Sequence, residues 1–227
     1  MPPLLSLSRV SKSFGVVRAL DGVDFDVAAG EVHALLGENG AGKTTLVQVA
    51  YGMVAADAGA VAVDGRPAGI HSPRDARRLG LGMVHQHFTS VPAFTVAENV
   101  ALAAGWPARP RENARRVLEL GERLGLPLDP DAVAESLPVA LRQRLEIVKA
   151  LAAGARALLL DEPTSVLAPA EVEEFLGTIR RFARDGGAVV LITHKLGEAL
   201  AVADRVTVLR GGRVVRSGSA ADETGES

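Results

Sequence analysis

The sequence predicts an α/β fold: a mainly parallel core sheet, an antiparallel β subdomain near the N-terminus and an inserted helical subdomain. Three observations predict it. Short β-like runs crowd the first third of the chain, the apolar spacing turns helical from about residue 95 to 153, and strand-sized apolar runs then alternate with helical stretches. That alternation implies right-handed crossovers and parallel strands. The whole chain, 1–227, reads as one domain, with its β-rich core at about 1–88 and 156–227 and the helical subdomain at about 89–155.

Taken in order, strands are expected at 6–14, 23–27 and 32–36, separated by Gly15, Asp21-Gly22 and Ala29-Gly30. A helix follows from 42 to about 53, then a strand at 61–63 closed by Asp64-Gly65. In the helical region the pattern is clearest at 115–124, where Val117, Leu118, Leu120 and Leu124 interleave with charges. Beyond it come a strand at 157–160, a helix at 169–184, a strand at 188–193, a helix at 196–203 and a strand at 206–210.

Composition narrows the function classes. A net charge of −2 gives no electrostatic case for nucleic acid as the main partner. The absence of cysteine removes disulfides and thiolate metal sites. The longest apolar runs, 157–160 and 188–192, fall far short of the roughly 18 residues of a membrane span, and no charged-then-apolar signal segment opens the chain. Work at a membrane is therefore expected to go through a partner.

Gly37-Glu38-Asn39-Gly40-Ala41-Gly42-Lys43-Thr44 fits G-x-x-x-x-G-K-[ST] and follows an apolar strand. Glycines let successive backbone N–H groups turn inward around phosphates, and the next helix points its positive end at the same anion. Lys43 would reach the β- and γ-phosphates, Thr44 would ligate Mg²⁺, and Thr45 completes the loop. An accidental glycine-rich turn explains neither the strand before nor the helix after. The expected ligand is ATP with Mg²⁺, in a P-loop NTPase fold. A second cluster supports this: the apolar run 157–160 ends in Asp161 and Glu162. Two acids at a strand end are usually only solvated; beside a phosphate loop, Asp161 can hold Mg²⁺ and Glu162 can take the proton from an attacking water.

With these motifs in place, the chain resembles an ABC ATPase domain over nearly its whole length. The resemblance puts Phe14 against the adenine ring. It makes Gln86, in Gly82-Met83-Val84-His85-Gln86-His87-Phe88, the glutamine that touches Mg²⁺ and water and reports to a permease. It places Ser165, Val166, Leu167 and Ala168 in the D-loop and makes His194 the switch histidine that contacts the γ-phosphate. Alone, Phe14 would read as core, Gln86 as a surface amide and His194 as an ordinary satisfied histidine; their order and spacing carry the assignment. His85 and His87 form an H-x-H pair, too few ligands to argue a metal site.

Residues 82–88, 95–99 and 193–196 resemble the importers of nucleosides and simple sugars, and the histidines around Gln86 favour the nucleoside side. That branch usually carries two ATPase halves in one chain. This chain resembles the first half and ends in a polar stretch at 220–227; it is an excised half, a truncated product or a subunit that finds its partner separately. The implied partners are a second ATPase domain, permease subunits met through the helical subdomain and, indirectly, a substrate-binding protein, with the chain peripheral at the cytoplasmic face of the cell membrane.

One motif departs from the family. The signature loop, L-S-G-G-Q or L-S-V-G-E in this branch, closes over nucleotide held by the other subunit. Here it reads Leu137-Pro138-Val139-Ala140-Leu141. Pro138 removes a hydroxyl and a backbone N–H, Ala140 adds a Cβ where backbone should approach closely, and Leu141 replaces a polar residue. Pro138 suits a helix start, so folding need not suffer. Ala168 stands where the D-loop usually has Asp, or often Thr in this branch. The expectation is asymmetry: this chain's P-loop site hydrolyses ATP when a partner closes it, while the site closed by residues 137–141 turns over poorly. Two rivals remain: a regulatory ATP-binding half with little hydrolysis, which Pro138 favours, and a soluble ABC ATPase acting on ribosomes or DNA. The latter would normally carry coiled-coil or second-domain insertions and a basic surface, neither of which the sequence shows.

Overall fold

The computed structural model describes residues 2–222, so 223–227 of the polar C-terminal stretch lie outside the described residues. The first half runs β1 (Leu5–Phe14), β2 (Val17–Val27), β3 (Val32–Leu36), α1 (Lys43–Ala50), β4 (Ala58–Val63), β5 (Arg66–Pro67), α2 (Pro73–Arg78), β6 (Leu81–Val84), α3 (Val96–Ala104) and α4 (Pro110–Leu124). The second runs α5 (Val139–Ala152), β7 (Ala157–Asp161), α6 (Pro169–Arg184), β8 (Ala188–Ile192), α7 (Leu196–Val202), β9 (Arg205–Arg210) and β10 (Arg213–Ser219).

Two sheets form, as the sequence pattern predicts. β2-β1-β4-β5 is antiparallel throughout. The core sheet has the order β10-β9-β3-β8-β7-β6; its strands from β9 to β6 are parallel and β10 is an antiparallel edge. The central strands β3, β7 and β8 are buried at every position, which explains their unbroken apolar runs. Alternate residues serve opposite faces. Leu159, Val190 and Leu35 join α1 and the antiparallel sheet in one core, whereas Leu158, Leu160, Val189 and Leu191 meet the helices α3 to α6 in another.

Several elements differ from the sequence expectation. β2 begins at Val17 rather than 23, because the turn at Gly15 sets Val17 opposite Phe14 and pairing continues through polar residues. α1 stops at Ala50, with Tyr51 as its C-cap and Gly52 at φ +74°. β4 starts at Ala58. The sequence pattern predicts neither the strands β5, β6 and β10 nor the helix α2. β6 is four residues long and holds Gly82, where a Cβ would lie 3.1 Å from that of Ala150 in α5 and 2.8 Å from that of Ala155 just beyond it; close packing of that helix and its following turn on the sheet requires the glycine that hides the strand. β10 is a polar edge strand, and the six-residue α2 depends on Ser72, whose side chain accepts the Asp75 N–H.

Candidate nucleotide site and its closing loop

The phosphate loop hangs between β3 and α1. Gly37, Gly40 and Gly42 have φ of +151°, +80° and +107°, a region open to glycine and costly for other residues. At two of them space is closed as well: a Cβ on Gly37 would lie 2.3 Å from the Leu209 carbonyl oxygen, and one on Gly42 2.5 Å from that of Ala19. Ala41 is buried beneath the loop. Gly42 is the N-cap of α1 and no side chain caps the helix, so its first-turn N–H groups face outward for an anion. The buried Lys43 donates to the carbonyls of Gly37 (2.7 Å) and Glu38 (3.0 Å), which holds its ammonium inside the loop.

Sheet order then assembles the acids. β8 lies between β3 and β7, and all three are parallel, so their C-terminal ends point the same way. The Thr44 hydroxyl donates to Asp161 Oδ1 at 3.2 Å. Asp161 is 6% exposed, and no ion pair involving it is present among the described residues. Burial pushes its carboxyl above the usual range, with the Thr44 hydrogen bond opposing this, the Glu162 charge adding to it, and His85 and Lys43 opposing it. Glu162 follows with φ +48°, its N–H fixed to the Ile192 carbonyl at 3.1 Å, and His194 Nδ1 stands 3.3 Å from its Oε1.

An open cleft of about 530 Å³ joins most of these groups. Asn39, Gly40, Gly42, Lys43, Thr44, Thr45, Gln86 and Glu162 line it. So do Val17, Arg18, Ala19 and Gly211, which sequence reasoning missed. Phe14 stands just outside that lining, 50% exposed, with the Lys12 ammonium 5.5 Å from its ring centre. The Gly211-Gly212 pair was the available signal for the far wall: Gly212 donates to Ala41 and accepts from Asp21, tying this turn to the loop.

The site suits Mg²⁺ by its donors. Thr44 and Asp161 already share a hydrogen bond, Asp161 is a buried carboxylate with no ion-pair partner among the described residues, and Gln86 adds an amide oxygen in the same cleft. These are hard oxygen donors too few to cage an ion alone, as expected where phosphates and water complete the shell. Among the described residues no group of three or more His, Cys, Asp or Glu could hold a metal by itself.

The residues assigned to the closing loop lie elsewhere; none of them lines the cleft. Leu137 is buried, Pro138 (φ −52°, ψ 153°) is the N-cap of α5, and Val139 is 40% exposed at the first helical position. Leu141 packs into the helical core, and Ala140 borders a small cavity shared with Leu167. Arg142 draws the turn tight by donating to the carbonyls of Leu137 (2.9 Å) and Glu135. In the next loop Ser165, Val166 and Ala168 are exposed, Leu167 packs inward, and the Ala168 N–H donates to Glu171.

Comparison with known proteins places the chain. The sequence profile of the ABC transporter family matches residues 20–165. The chain belongs to that family. It is 43% identical to the nucleoside import ATP-binding protein NupA of Lactococcus lactis subsp. cremoris, a match covering 98% of this chain and 45% of that one. It is 46% identical to the ribose import ATP-binding protein RbsA 1 of Rubrobacter xylanophilus, covering 95% of this chain and 44% of the other. The chain thus spans less than half the length of these relatives. Among solved structures, the ADP conformation of MJ1267, an ATP-binding cassette of an ABC transporter, superposes with a TM-score of 0.86 at 25% identity, over 96% of this chain and 92% of that one. CbiO1 from Clostridium perfringens, part of the ABC transporter complex cbiONQ, gives 0.84 at 27% identity, over 97% and 90%. The fold is that of an ABC ATPase cassette. No helix among the described residues is long and apolar enough to cross a membrane.

Proposed function

We propose that this ATP-binding cassette hydrolyses MgATP to drive an ABC importer of nucleosides or simple sugars, and that its two composite sites are unequal. Convergence of Lys43, Thr44, Asp161, Glu162 and His194 at the ends of β3, β7 and β8 carries the hydrolytic reading. The relatives, named for nucleoside and ribose import, support the branch. On this reading the chain pairs with a second ATPase domain, meets permease subunits through its helical subdomain about 89–155, depends indirectly on a substrate-binding protein, and sits peripherally at the cytoplasmic face of the cell membrane.

The chemistry follows from the residues. The N–H groups of the loop and of the first turn of α1 take the phosphate oxygens, and Lys43 exchanges its carbonyl partners for the β- and γ-phosphates. Thr44, Asp161 and Gln86 would hold Mg²⁺, which would supply charge neutralisation on the phosphate oxygens. Glu162 accepts a proton from water as the water oxygen bonds to the γ-phosphorus; the bond to the β–γ bridging oxygen breaks and ADP leaves. His194 orients Glu162 through the 3.3 Å contact and donates to the γ-phosphate. Phe14 stacks on the adenine beside Val17.

The closing loop sets the asymmetry. Pro138 supplies neither a hydroxyl nor an N–H, and each lost hydrogen bond to a charged group costs roughly 1.5–3 kcal/mol. Because no side chain caps α5, the helix N-terminus still faces outward, so the loop retains attraction for phosphate and loses much of its grip. The test compares ATPase rates of the unaltered chain and a Pro138→Ser/Val139→Gly/Ala140→Gly/Leu141→Gln variant. At least a tenfold gain is expected. Brisk turnover by the unaltered homodimer, abolished by Glu162→Gln, would overturn the asymmetry and leave the ATPase assignment standing. Negligible turnover in both, with ATP bound, would instead support the regulatory half that Pro138 suggests.

A further inference from the structure

Three residues beyond Gln86 the chain is bolted to a helix. Glu146 of α5 is 4% exposed. Its Oε1 accepts the N–H groups of Thr89 (3.0 Å) and Ser90 (2.9 Å) and the Ser90 hydroxyl (2.7 Å). Its Oε2 accepts the Thr89 hydroxyl (2.7 Å) and the Lys149 ammonium (2.9 Å). Lys149 closes the cluster by donating to both hydroxyl oxygens at 3.0 Å. Burial pushes the Glu146 carboxyl up, but Lys149 and the hydroxyl hydrogen bonds outweigh it and hold the group below its ordinary range.

The placement of this cluster matters more than its strength. Gln86 lines the nucleotide cleft, while its neighbour His85 lines a separate groove with Thr89, Glu146 and Lys149. Only His87 and Phe88 separate Gln86 from Thr89, and each residue of extended chain reaches at most about 3.6 Å. A shift of Gln86 toward a ligand therefore draws on Thr89 and Ser90 after little slack. α5 is continuous from Val139 to Ala152, and Glu146 lies about two turns beyond its start, roughly 10 Å along the axis. A pull on Glu146 moves the start of the helix with it.

We infer that Glu146 is a positioning residue, linking occupancy of this chain's nucleotide cleft to the placement of its own closing loop at 137–141. The inference rests on the proposed nucleotide function. Because that loop serves the partner's site, the Glu146 cluster carries a signal from one composite site to the other, and it does so in a chain whose loop binds its target poorly.

The chain has no cysteine, so a spin-label pair can be placed at Arg66→Cys and Glu119→Cys, one in the β subdomain and one in the helical subdomain. The measurements are the interlabel distance distribution with and without MgAMP-PNP, and MANT-ATP affinity. In the otherwise unaltered chain nucleotide is expected to shift the distribution. Glu146→Ala should bind MANT-ATP within about threefold of the parent and show no shift. Glu146→Gln preserves shape and folding but its amide nitrogen cannot accept, and should lose at least half the shift. A purely structural role would lower stability in these variants and leave the shift intact. A full shift in either folded variant, or none in the parent with nucleotide bound, would overturn the inference. Failure of the parent to bind MANT-ATP is a separate result, and it would remove the nucleotide assignment itself.

Discussion

The phosphate loop and the closing loop are both turns that lead into a helix, and they differ in how folding and chemistry share residues. In the phosphate loop one choice serves both: glycine at 37 and 42 is demanded by positive φ and by the Leu209 and Ala19 carbonyls, and it also leaves N–H groups free for an anion. In the closing loop the two demands separate. Pro138 satisfies the backbone at the start of α5, Leu137 and Leu141 satisfy the core, and Arg142 secures the turn, yet none of these supplies a group for phosphate. On the proposed function this turn keeps its shape while giving up much of its chemistry, because the helix start needs only backbone geometry.

The largest expected effects fall on the phosphate side. With nucleotide bound and a competent loop closing the site, Glu162→Gln should lower turnover by about 10²- to 10⁴-fold and leave MANT-ATP affinity nearly unchanged. Lys43→Ala should lose affinity as well. Equal loss of affinity in both variants would break the division between holding and hydrolysing. Gly37→Ala, with a Cβ 2.3 Å from the Leu209 oxygen, should cost about 1–3 kcal/mol in chemical denaturation and abolish detectable nucleotide binding. An affinity within twofold of the parent would overturn the steric account of the loop.

Between the two regions, Glu146→Ala should destabilise the fold by about 1–3 kcal/mol at pH 7, since the Thr89 and Ser90 N–H groups lose their acceptor and the half-buried Lys149 loses its counter-charge. The native carboxyl is depressed, so its contribution is complete above the unfolded value near 4.5 and is lost as pH falls through the lower folded value. Parent and variant stabilities should converge in acid; a constant gap down to pH 3 would contradict the charge assignment. Smallest of all, Phe14→Ala should weaken MANT-ATP binding by about two- to tenfold. No change would leave the base to Val17, Arg18 and Ala19, the residues that line the cleft.

How far the sequence could be read follows from the same distinction. Residues 37–44 and the pair Asp161-Glu162 were legible because local spacing and chemistry coincide there, and α6 was legible to the residue because its apolar period is clean. The fold class followed from strand–helix alternation. The far wall of the cleft was not legible: Val17 to Ala19 and Gly211 come from β2 and the β9–β10 turn and meet the phosphate loop only after the two sheets pack. Nor was the role of Glu146, which in the sequence is one acid among many on a helix. Its meaning comes from Thr89 and Ser90, more than fifty positions away.

The backbone of Glu162 adds a different kind of consequence. At φ +48° it occupies a conformation that costs a side-chain-bearing residue about 1–2 kcal/mol and glycine almost nothing. On the proposed function, relaxing the backbone at that position and keeping the carboxylate are opposing demands. Glu162→Gly would relax that strain at the cost of unfolded-state entropy and of the His194 contact, and on the proposed function it would remove the base.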